Sequence, residues 1–287
     1  MPNIKIVVDT SSDIPEEVMK KYDIGRMSFL SIFGEDNYVS GVDITNEEFY
    51  RKLDSSDKIP TTAQTPYQDM YDYLLELSQK HDTVIYFTIS SKGSGQFNTA
   101  RLVSEEIKED HPKADIRIVD SMSYSLFIAQ TAVYAAQMAA DGKSAEEIIT
   151  ACEAYIRSWH AFLLVDTLKY LEKGGRINKA AAVMGTLLDI KPVLTVKDGL
   201  IESEDKLRGK KKVLQKLVDK IDEYEAFDSQ NPEFMIVHSD EEKGRELEAL
   251  LQQRYGIDKA VLFGEFGPIV GTHVGRGAVA VIFRLKH

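Results

Sequence analysis

The sequence predicts a two-domain α/β protein, with an N-terminal mainly parallel α/β sheet domain and a C-terminal α+β domain. Two observations carry this prediction. Short apolar, β-branched runs alternate with helical segments over residues 1–158, which is the pattern of right-handed βαβ units. After residue 160 this alternation becomes irregular and a hairpin signal appears. We therefore divide the chain into domains at 1–160 and 161–287.

The N-terminal domain is assigned from apolar strand runs and from helix-start signals. Thr45 with Glu48 and Ser144 with Glu147 form capping boxes. We also expect Asp13 and Thr65 to cap the helices that follow them. The predicted strands are Ile4–Val8, Met27–Ile32, Val84–Ile89 and Ile116–Val119. The predicted helices are Ile14–Tyr22, a segment from Thr45 through Leu53, one beginning at Pro66, Gln96–Lys108, one within Ser121–Ala140, and one from Ser144 through Ser158.

A glycine- and serine-rich turn follows the most apolar strand of this domain. The strand ends at Ile89, the turn reads Ser-Ser-Lys-Gly-Ser-Gly, and Gln96–Lys108 then forms a helix. A strand, such a turn and a helix together present backbone N–H groups and hydroxyls to an anion. We expect Gly93 and Gly95 to relax the backbone on both sides of Ser94. Ser94 is therefore interpreted as the centre of a carboxylate- or phosphate-binding site.

Polar residues also end other strands, which is where open α/β sheets bind ligands. Asp9 follows the first strand, and we predict that it holds neighbouring loops, with ligand or metal binding as the alternative. Thr61 and Thr62 lie in a hydroxyl-rich segment that we interpret as a loop. From the residues alone, a solvated loop and a ligand contact both stay open for these threonines.

The C-terminal domain is assigned from a hairpin signal and from alternating helical and apolar segments. Asp198-Gly199 is a hairpin turn signal between two strand patterns. A basic run, Lys206–Lys212, begins a helix, and such runs usually face solvent. The predicted strands are Phe162–Val165, Pro192–Val196, Leu200–Lys206, Phe234–His238, Ala260–Phe263 and Ala278–Phe283. The predicted helices are Thr167–Lys173, Ala180–Leu188, Arg208–Tyr224 and Asp240–Tyr255.

A glycine-rich stretch, Gly267–Gly277, precedes the last strand and contains His273. We predict an irregular, tightly turned loop in which this histidine contacts an anionic ligand, either as imidazolium or as a neutral N–H donor. Ser94 and His273 together also suggest a nucleophile and a base. However, the turn around Ser94 is not the G-x-S-x-G elbow of hydrolases.

Composition and missing motifs exclude several classes of function. A net charge of −11 argues against nucleic acid as a partner. The single cysteine, Cys152, allows no internal disulfide and indicates a reducing, cytoplasmic compartment. We interpret the uncharged segment Ser121–Ala140 as a helix buried in the protein rather than a transmembrane segment. No signal-peptide core, nucleotide-binding glycine motif or zinc-binding motif is present. We expect no cofactor and no bound metal.

Six sequence segments, taken together and in order, resemble the DegV family over nearly the whole chain. Any one of them is a weak signal, but the set is specific. These segments are Ile6–Pro15, Pro60–Gln64, Ser90–Ala100, Val119–Ser121, Val165–Ile177 and Gly267–Gly277.

The resemblance implies a fatty-acid-binding protein without enzymatic activity of its own. DegV-like proteins bind a long-chain fatty acid between their two domains. In the best-understood members they present its carboxylate to a separate ATP-binding subunit of a bacterial fatty acid kinase, which makes the acyl-phosphate. Thr62 and Ser94 match the hydroxyls that hold the carboxylate, and His273 matches the histidine at the same end. Arg176 matches an arginine implicated in kinase docking, and the basic run Lys206–Lys212 either adds to that docking surface or faces solvent.

The sequence departs from the family pattern at four places. Lys92-Gly93 exchanges the position of a glycine, and Gln96-Phe97 replaces Thr-Tyr. Thr65 is inserted before Pro66, and Arg276 stands where a proline is common. None of these changes removes a proposed carboxylate contact. Two alternatives therefore stay beside the carrier: an acyl hydrolase or transferase that uses Ser94 and His273, and a lipid sensor without a kinase.

Overall fold

A four-stranded parallel sheet forms the centre of the N-terminal part of the chain, in the order β2-β1-β6-β7. The computed structural model describes residues 3–177, 190–208 and 212–286. The sheet confirms the predicted α/β class. Its strands are β1 (Ile4–Asp9), β2 (Gly25–Met27), β6 (Thr83–Thr88) and β7 (Ile116–Asp120).

A small antiparallel sheet lies beside it and corrects two predictions. The run Met27–Ile32 is not one strand, because Met27 pairs with Asp9 in the parallel sheet whereas Leu30 pairs with Ala63 in the small one. Thr61–Ala63 is a strand and not a loop, and its three residues were too few to show an alternating pattern. The strands are β3 (Leu30–Phe33), β4 (Asp36–Val39) and β5 (Thr61–Ala63), in the order β4-β3-β5.

A separate six-stranded mixed sheet forms the C-terminal part, in the order β10-β9-β8-β13-β11-β12. The predicted hairpin is confirmed, with Asp198 at φ 48° and Gly199 at φ 78° in its turn. The boundary at residue 160 stays a prediction, although the first strand of this sheet already begins at Trp159. The strands are β8 (Trp159–Leu164), β9 (Ile190–Lys197), β10 (Leu200–Arg208), β11 (Phe234–His238), β12 (Leu262–Glu265) and β13 (Val279–Arg284).

The helices follow the predicted order, and two of the four predicted caps are present. Thr45 and Ser144 form their capping boxes. Asp13 and Thr65 do not cap, because Pro15 and Pro66 occupy the positions before the helices. The helices are α1 (Glu16–Lys21), α2 (Asn46–Ser55), α3 (Tyr67–Lys80), α4 (Gln96–Asp110), α5 (Leu126–Ala140), α6 (Ala145–Arg157), α7 (Lys169–Lys173), α8 (Val213–Asp222), α9 (Glu241–Tyr255) and α10 (Pro268–Val274). The predicted helix Ala180–Leu188 and part of the basic run, residues 209–211, lie outside the described residues.

Helix α5 explains why one segment of the chain carries no charge. The helix contacts β1 and β6 of the parallel sheet as well as β11 and β12 of the mixed sheet. Residues from both sheets therefore share one apolar core around it, including Val8, Leu126 and Val237. A helix enclosed from both sides has no face for charged residues. Among the described residues, no helix is long and apolar enough to cross a membrane.

Candidate functional site

A narrow apolar slot lies between the two main sheets. Its walls come from α5 and the polar ends of the N-terminal strands on one side, and from β8, β9 and β13 on the other. Its unfilled volume, including its opening to solvent, is about 860 Å³. The apolar walls include Ile89, Phe127, Leu163, Ile269, Ala280 and Ile282. Such a lining suits an extended hydrocarbon chain better than a polar molecule.

Polar side chains gather at one end of this slot. The hydroxyl of Thr62 lies 3.1 Å from Nε2 of His273, and Ser94 contributes to the same wall. Arg176 reaches across from the C-terminal part, and its Nε donates to the Gly93 carbonyl at 3.0 Å. The four side chains that the resemblance singles out are therefore brought together by contacts that join both parts of the chain.

The imidazole of His273 is neutral at physiological pH. Burial, together with the nearby Arg176 cation, lowers the pKa of His273 to about 4. This resolves the choice left open by the sequence in favour of the neutral form. We assign the proton to Nε2, so that the ring donates to Thr62 Oγ1 and leaves the threonine O–H free to donate into the slot.

The backbone of Gly174 leaves room for this ring. A Cβ atom at Gly174 would lie 2.3 Å from Nδ1 of His273, which is buried and has no hydrogen-bonding partner in the part of the chain described. The φ angle of Gly174 is −72°, so glycine is needed here for space and not for conformation. The imidazole is thus fixed by packing on one side and by Thr62 on the other.

We predict that Gly174→Ala displaces the His273 ring and weakens binding of an anionic ligand at Thr62 by about tenfold, the usual cost of disturbing one hydrogen bond to a charged group. Titration with a fluorescent fatty acid measures the change. Gly256→Asn is the control, because open space surrounds that position at the end of α9 and asparagine tolerates its φ angle of 68°. Equal affinities of the Gly174 variant and the unchanged protein would show that the ring position is unimportant.

The glycines beside Ser94 act differently from the prediction. Gly95 has φ −73°, and Gly93 is not among the residues with positive φ. Both are required for close approach: a Cβ at Gly93 would lie 2.4 Å from Tyr124 Oη, and one at Gly95 would lie 2.8 Å from Gln64 Oε1. The two glycines therefore support the turn by leaving space for neighbouring side chains, and not by relaxing the backbone.

A buried network of hydrogen bonds supports the turn around Ser94 and gives a structural role to Gln96, one of the departures from the family pattern. The amide of Gln96 donates to Thr65 Oγ1 at 2.9 Å and to Tyr86 Oη at 2.8 Å, while its oxygen accepts from the Thr65 backbone at 3.1 Å. Asp9 accepts from the backbone N–H groups of Ser11 and Ile89. Asp9 thus holds neighbouring loops, as predicted. Gln96 fixes the position of the start of α4, next to Ser94, through its hydrogen bonds to Thr65.

His273 lies in the last turn of helix α10, not in the irregular loop that its glycine-rich setting predicted. Pro268 begins this helix and its apolar side chains face the core, which outweighs the low helix propensity of glycine. Contacts from the N-terminal part hold the helix start: Asp13 accepts from Gly267 N at 2.9 Å, and Tyr50 Oη donates to the Phe266 carbonyl at 2.8 Å.

Arg276, the last of the sequence departures, forms an ion pair inside the chain. Its guanidinium donates from Nε and Nη2 to both carboxylate oxygens of Asp54, and it also lies over the ring of Tyr50 at 4.5 Å. The residue therefore joins α2 to the segment that follows His273. Two of the three guanidinium nitrogens of Arg276 are therefore already bonded to Asp54 of the same chain.

Sequence reasoning missed several slot residues. Tyr124 and Ser125 follow β7, and both line the slot. Tyr124 Oη donates to the Gly199 carbonyl in the hairpin turn at 2.8 Å, and Ser125 adopts φ 58° while donating to Asp13 at 2.5 Å. The rule that strand ends carry ligand contacts could have found them, since hydroxyl-bearing residues recur from Ser121 to Ser125. Val196, which also lines the slot, had no such signal.

An outer cleft, with an unfilled volume of about 560 Å³ that includes its opening to solvent, meets the polar end of the slot. The two cavities share Thr62, Arg176 and His273, and the residues that line only the cleft include Tyr170 and Lys173. No aspartate or glutamate of the described residues lines this cleft, although the chain carries a net charge of −11. The described ranges contain no cluster of three or more His, Cys, Asp or Glu residues that could hold a metal ion.

Comparisons with known proteins agree with this architecture. The family model described as "Uncharacterised protein, DegV family" matches residues 3–286. A DegV domain-containing protein of Caldanaerobacter subterraneus is 32% identical over 287 residues, covering 100% of both chains. The chain is also similar to the crystal structure of DegV, a fatty acid binding protein from Bacillus subtilis, with a TM-score of 0.86, 27% identity and 100% coverage of both chains. A stearic-acid-binding protein from Eubacterium ventriosum gives a TM-score of 0.87 and 28% identity, with 99% of this chain and 98% of that one covered.

Proposed function

The chain belongs to the DegV family, and on that premise we propose that it binds a long-chain fatty acid in the slot and holds the carboxylate at Thr62 and Ser94. One observation carries the proposal: an apolar slot ends at two hydroxyls, one of them backed by a neutral histidine. Hydroxyl donors meet the need of a carboxylate that leaves water. Arg176 lies beside them and favours the ionised form of the acid.

The energetics of such a complex are favourable. Burying about 16 methylene groups at about 0.8 kcal/mol each releases roughly 13 kcal/mol before the costs of association and ordering. The slot supplies the apolar contact for this burial, and the polar end fixes the direction in which the acid lies. A fatty acid held in this way copurifies with the protein.

We further propose that the carboxylate is presented to a separate ATP-using kinase subunit for acyl-phosphate formation. The outer cleft supports this, because it reaches the carboxylate end from solvent and carries Lys173 and Arg176 without an opposing carboxylate among its described lining residues. Arg176 is the proposed docking residue, although two of its nitrogens already bind the carbonyls of Gly93 and Gly174. The chain itself then acts as a carrier, in the cytoplasm that its single buried cysteine indicates.

Mass spectrometry of an organic extract of the purified protein tests the lipid-binding proposal. We expect one long-chain fatty acid per chain, exchangeable with added oleic acid. A protein that carries no lipid and takes up no oleic acid would contradict the proposal.

The kinase step needs a separate experiment. The loaded protein is incubated with ATP and a candidate ATP-using subunit, and acyl-phosphate is trapped with hydroxylamine. We expect product only when all three components are present. Lipid binding without any acyl-phosphate across all candidate subunits would instead support the lipid sensor.

The geometry gives little support to a Ser94/His273 hydrolase. Nε2 of His273 faces the hydroxyl of Thr62, and the hydroxyl of Ser94 accepts from the Gln96 backbone at 3.3 Å. Nδ1 of His273 meets no orienting acid among the described residues, whereas nucleophilic catalysis needs a base that is both in reach and oriented. Incubation with acyl esters separates the two functions, since the carrier is expected to release no acid.

A further inference from the structure

A two-point contact joins the chain segments that carry the two proposed carboxylate-binding hydroxyls. Gln96 is fully buried. Its Oε1 accepts from the backbone N–H of Thr65 at 3.1 Å, and its Nε2 donates to Thr65 Oγ1 at 2.9 Å. Thr65 lies three residues after Thr62, and Gln96 lies two residues after Ser94. One side chain therefore links the segment of Thr62 to the turn of Ser94.

Neighbouring groups fix the orientation of the Gln96 amide. The backbone N–H of Thr65 can only donate, so it faces the amide oxygen. The Thr65 hydroxyl donates to the Ser28 carbonyl at 2.8 Å, and it must therefore accept from Gln96 Nε2. The second proton of Nε2 goes to Tyr86 Oη at 2.8 Å. The oxygen and both N–H groups of the amide thus have partners, and a fully satisfied buried network of this kind is rigid.

Gln96 also orients the Ser94 hydroxyl through its main chain. Its backbone N–H donates to Ser94 Oγ at 3.3 Å, so the serine O–H is left to donate into the slot. The Thr62 hydroxyl is arranged in the same way, because it accepts from Nε2 of His273. Gln96 therefore stands to Ser94 as His273 stands to Thr62: each supplies a donor to the hydroxyl oxygen that is to hold the ligand.

Both residues of the two-point contact depart from the family pattern. In that pattern a proline follows Gln64 directly, and a threonine stands at the position of Gln96. A proline in place of Thr65 would supply neither the N–H nor the hydroxyl that Gln96 binds. The two departures are therefore one structural feature of this chain, since each provides the partner of the other.

From these contacts we propose that Gln96 is a positioning residue for the carboxylate: through Thr65 it sets the separation of the Thr62 and Ser94 hydroxyls so that both reach one carboxylate. This inference rests on the proposed binding of fatty acids. A shift of either segment would leave one hydroxyl out of range or misaligned, because hydrogen bonds weaken steeply as their geometry departs from the optimum.

The test compares the affinities of delipidated protein for stearic acid and for stearyl alcohol, which has no carboxylate. Gln96→Met keeps an unbranched buried side chain and removes the amide. It should weaken stearic acid about tenfold and change stearyl alcohol less than about threefold. Thr65→Val removes the hydroxyl on the other side of the contact and should weaken stearic acid about threefold. The double variant should bind stearic acid no worse than Gln96→Met, because both changes break one contact.

The matched control is Gln68→Met, which removes an exposed glutamine amide that bonds to Asp72 on α3. It should leave both affinities unchanged. Urea unfolding shows which variants fold, and Thr65→Val, which keeps the bond between Gln96 and Tyr86, decides the matter if Gln96→Met does not.

The outcomes separate this inference from the function beneath it. If the two single variants bind stearic acid as tightly as the unchanged protein, or lose affinity for the acid and the alcohol equally, the inference is wrong and fatty acid binding stands. Additive losses in the double variant would also contradict it. If the unchanged protein binds no stearic acid, the proposed function is wrong and the inference is wrong with it.

Discussion

Replacing Thr62 with valine and Ser94 with alanine together is expected to lower the affinity for a long-chain fatty acid about a hundredfold or more. In the proposed complex each hydroxyl donates to a carboxylate that has left water, and a hydrogen bond to a charged group contributes about 1.5–3 kcal/mol. The apolar part of the slot is untouched by these changes, because its lining comes from other residues, among them Ile89, Phe127 and Leu163. The variant should therefore lose affinity through the carboxylate contacts and keep the contacts with the hydrocarbon part of the ligand.

Two comparisons make this result specific. Stearyl alcohol, which has no carboxylate, should bind the double variant and the unchanged protein to within a few-fold. The matched control is Thr61→Val with Ser91→Ala, which removes one hydroxyl from the same strand and one from the same turn, but neither from the slot wall. Titration with a fluorescent acid, competed by each lipid, gives the affinities. If the control variant loses as much affinity as the site variant, the carboxylate does not lie at Thr62 and Ser94.

Signals between residues close in the sequence predicted the secondary structure well. Hydrogen-bonding partners far apart in the sequence could not be predicted. The capping boxes at Thr45 and Ser144 involve residues three positions apart, so the sequence contains both partners. Asp13 has the same local pattern, but its carboxyl instead binds Gly267, which is 254 residues away. No pattern in a single sequence reveals such a partner, and the predicted cap was wrong for this reason.

In the candidate site, too, local patterns pointed to single residues but not to the contacts between them. Ser94 was found from its strand–turn–helix setting, and His273 from its glycine-rich neighbours, although the structure makes that segment a helix. The 3.1 Å contact between Thr62 and His273 joins residues 211 positions apart, and only the resemblance to a family placed them together. Val196 and Ile201 sit in ordinary strand patterns, so their place in the slot wall could come only from the structure.

Asp13→Asn is expected to remove a large part of the pH dependence of stability. Burial raises the pKa of Asp13 to about 8, and the carboxyls of Asp9 and Glu265 add to the shift. Between its ordinary value of 3.8 and about 8, the folded protein holds a proton that the unfolded chain has lost. The contribution of Asp13 is therefore fully present below pH 4 and is lost as the pH rises towards 8.

The measurement is urea unfolding of delipidated protein at pH values from 6.5 to 8. This window avoids the buried histidines His160 and His273, whose lowered pKa values make stability rise with pH up to about 6.5. The free energy of unfolding of the unchanged protein should fall by about 2 kcal/mol across the window, since one proton contributes about 1.4 kcal/mol per pH unit.

The asparagine variant should show a much smaller slope and exceed the unchanged protein in stability at pH 8. Its amide oxygen can still accept from Gly267 N, and its NH₂ can donate to Ser125 Oγ, so both contacts of Asp13 survive without a charge. Asp36→Asn, at an exposed carboxylate of β4, is the control and should leave the slope unchanged. Equal slopes for Asp13→Asn and the unchanged protein would mean that Asp13 is ionised in the folded state throughout this range. Helix α10, and with it His273, would then be held by a carboxylate that has kept its charge.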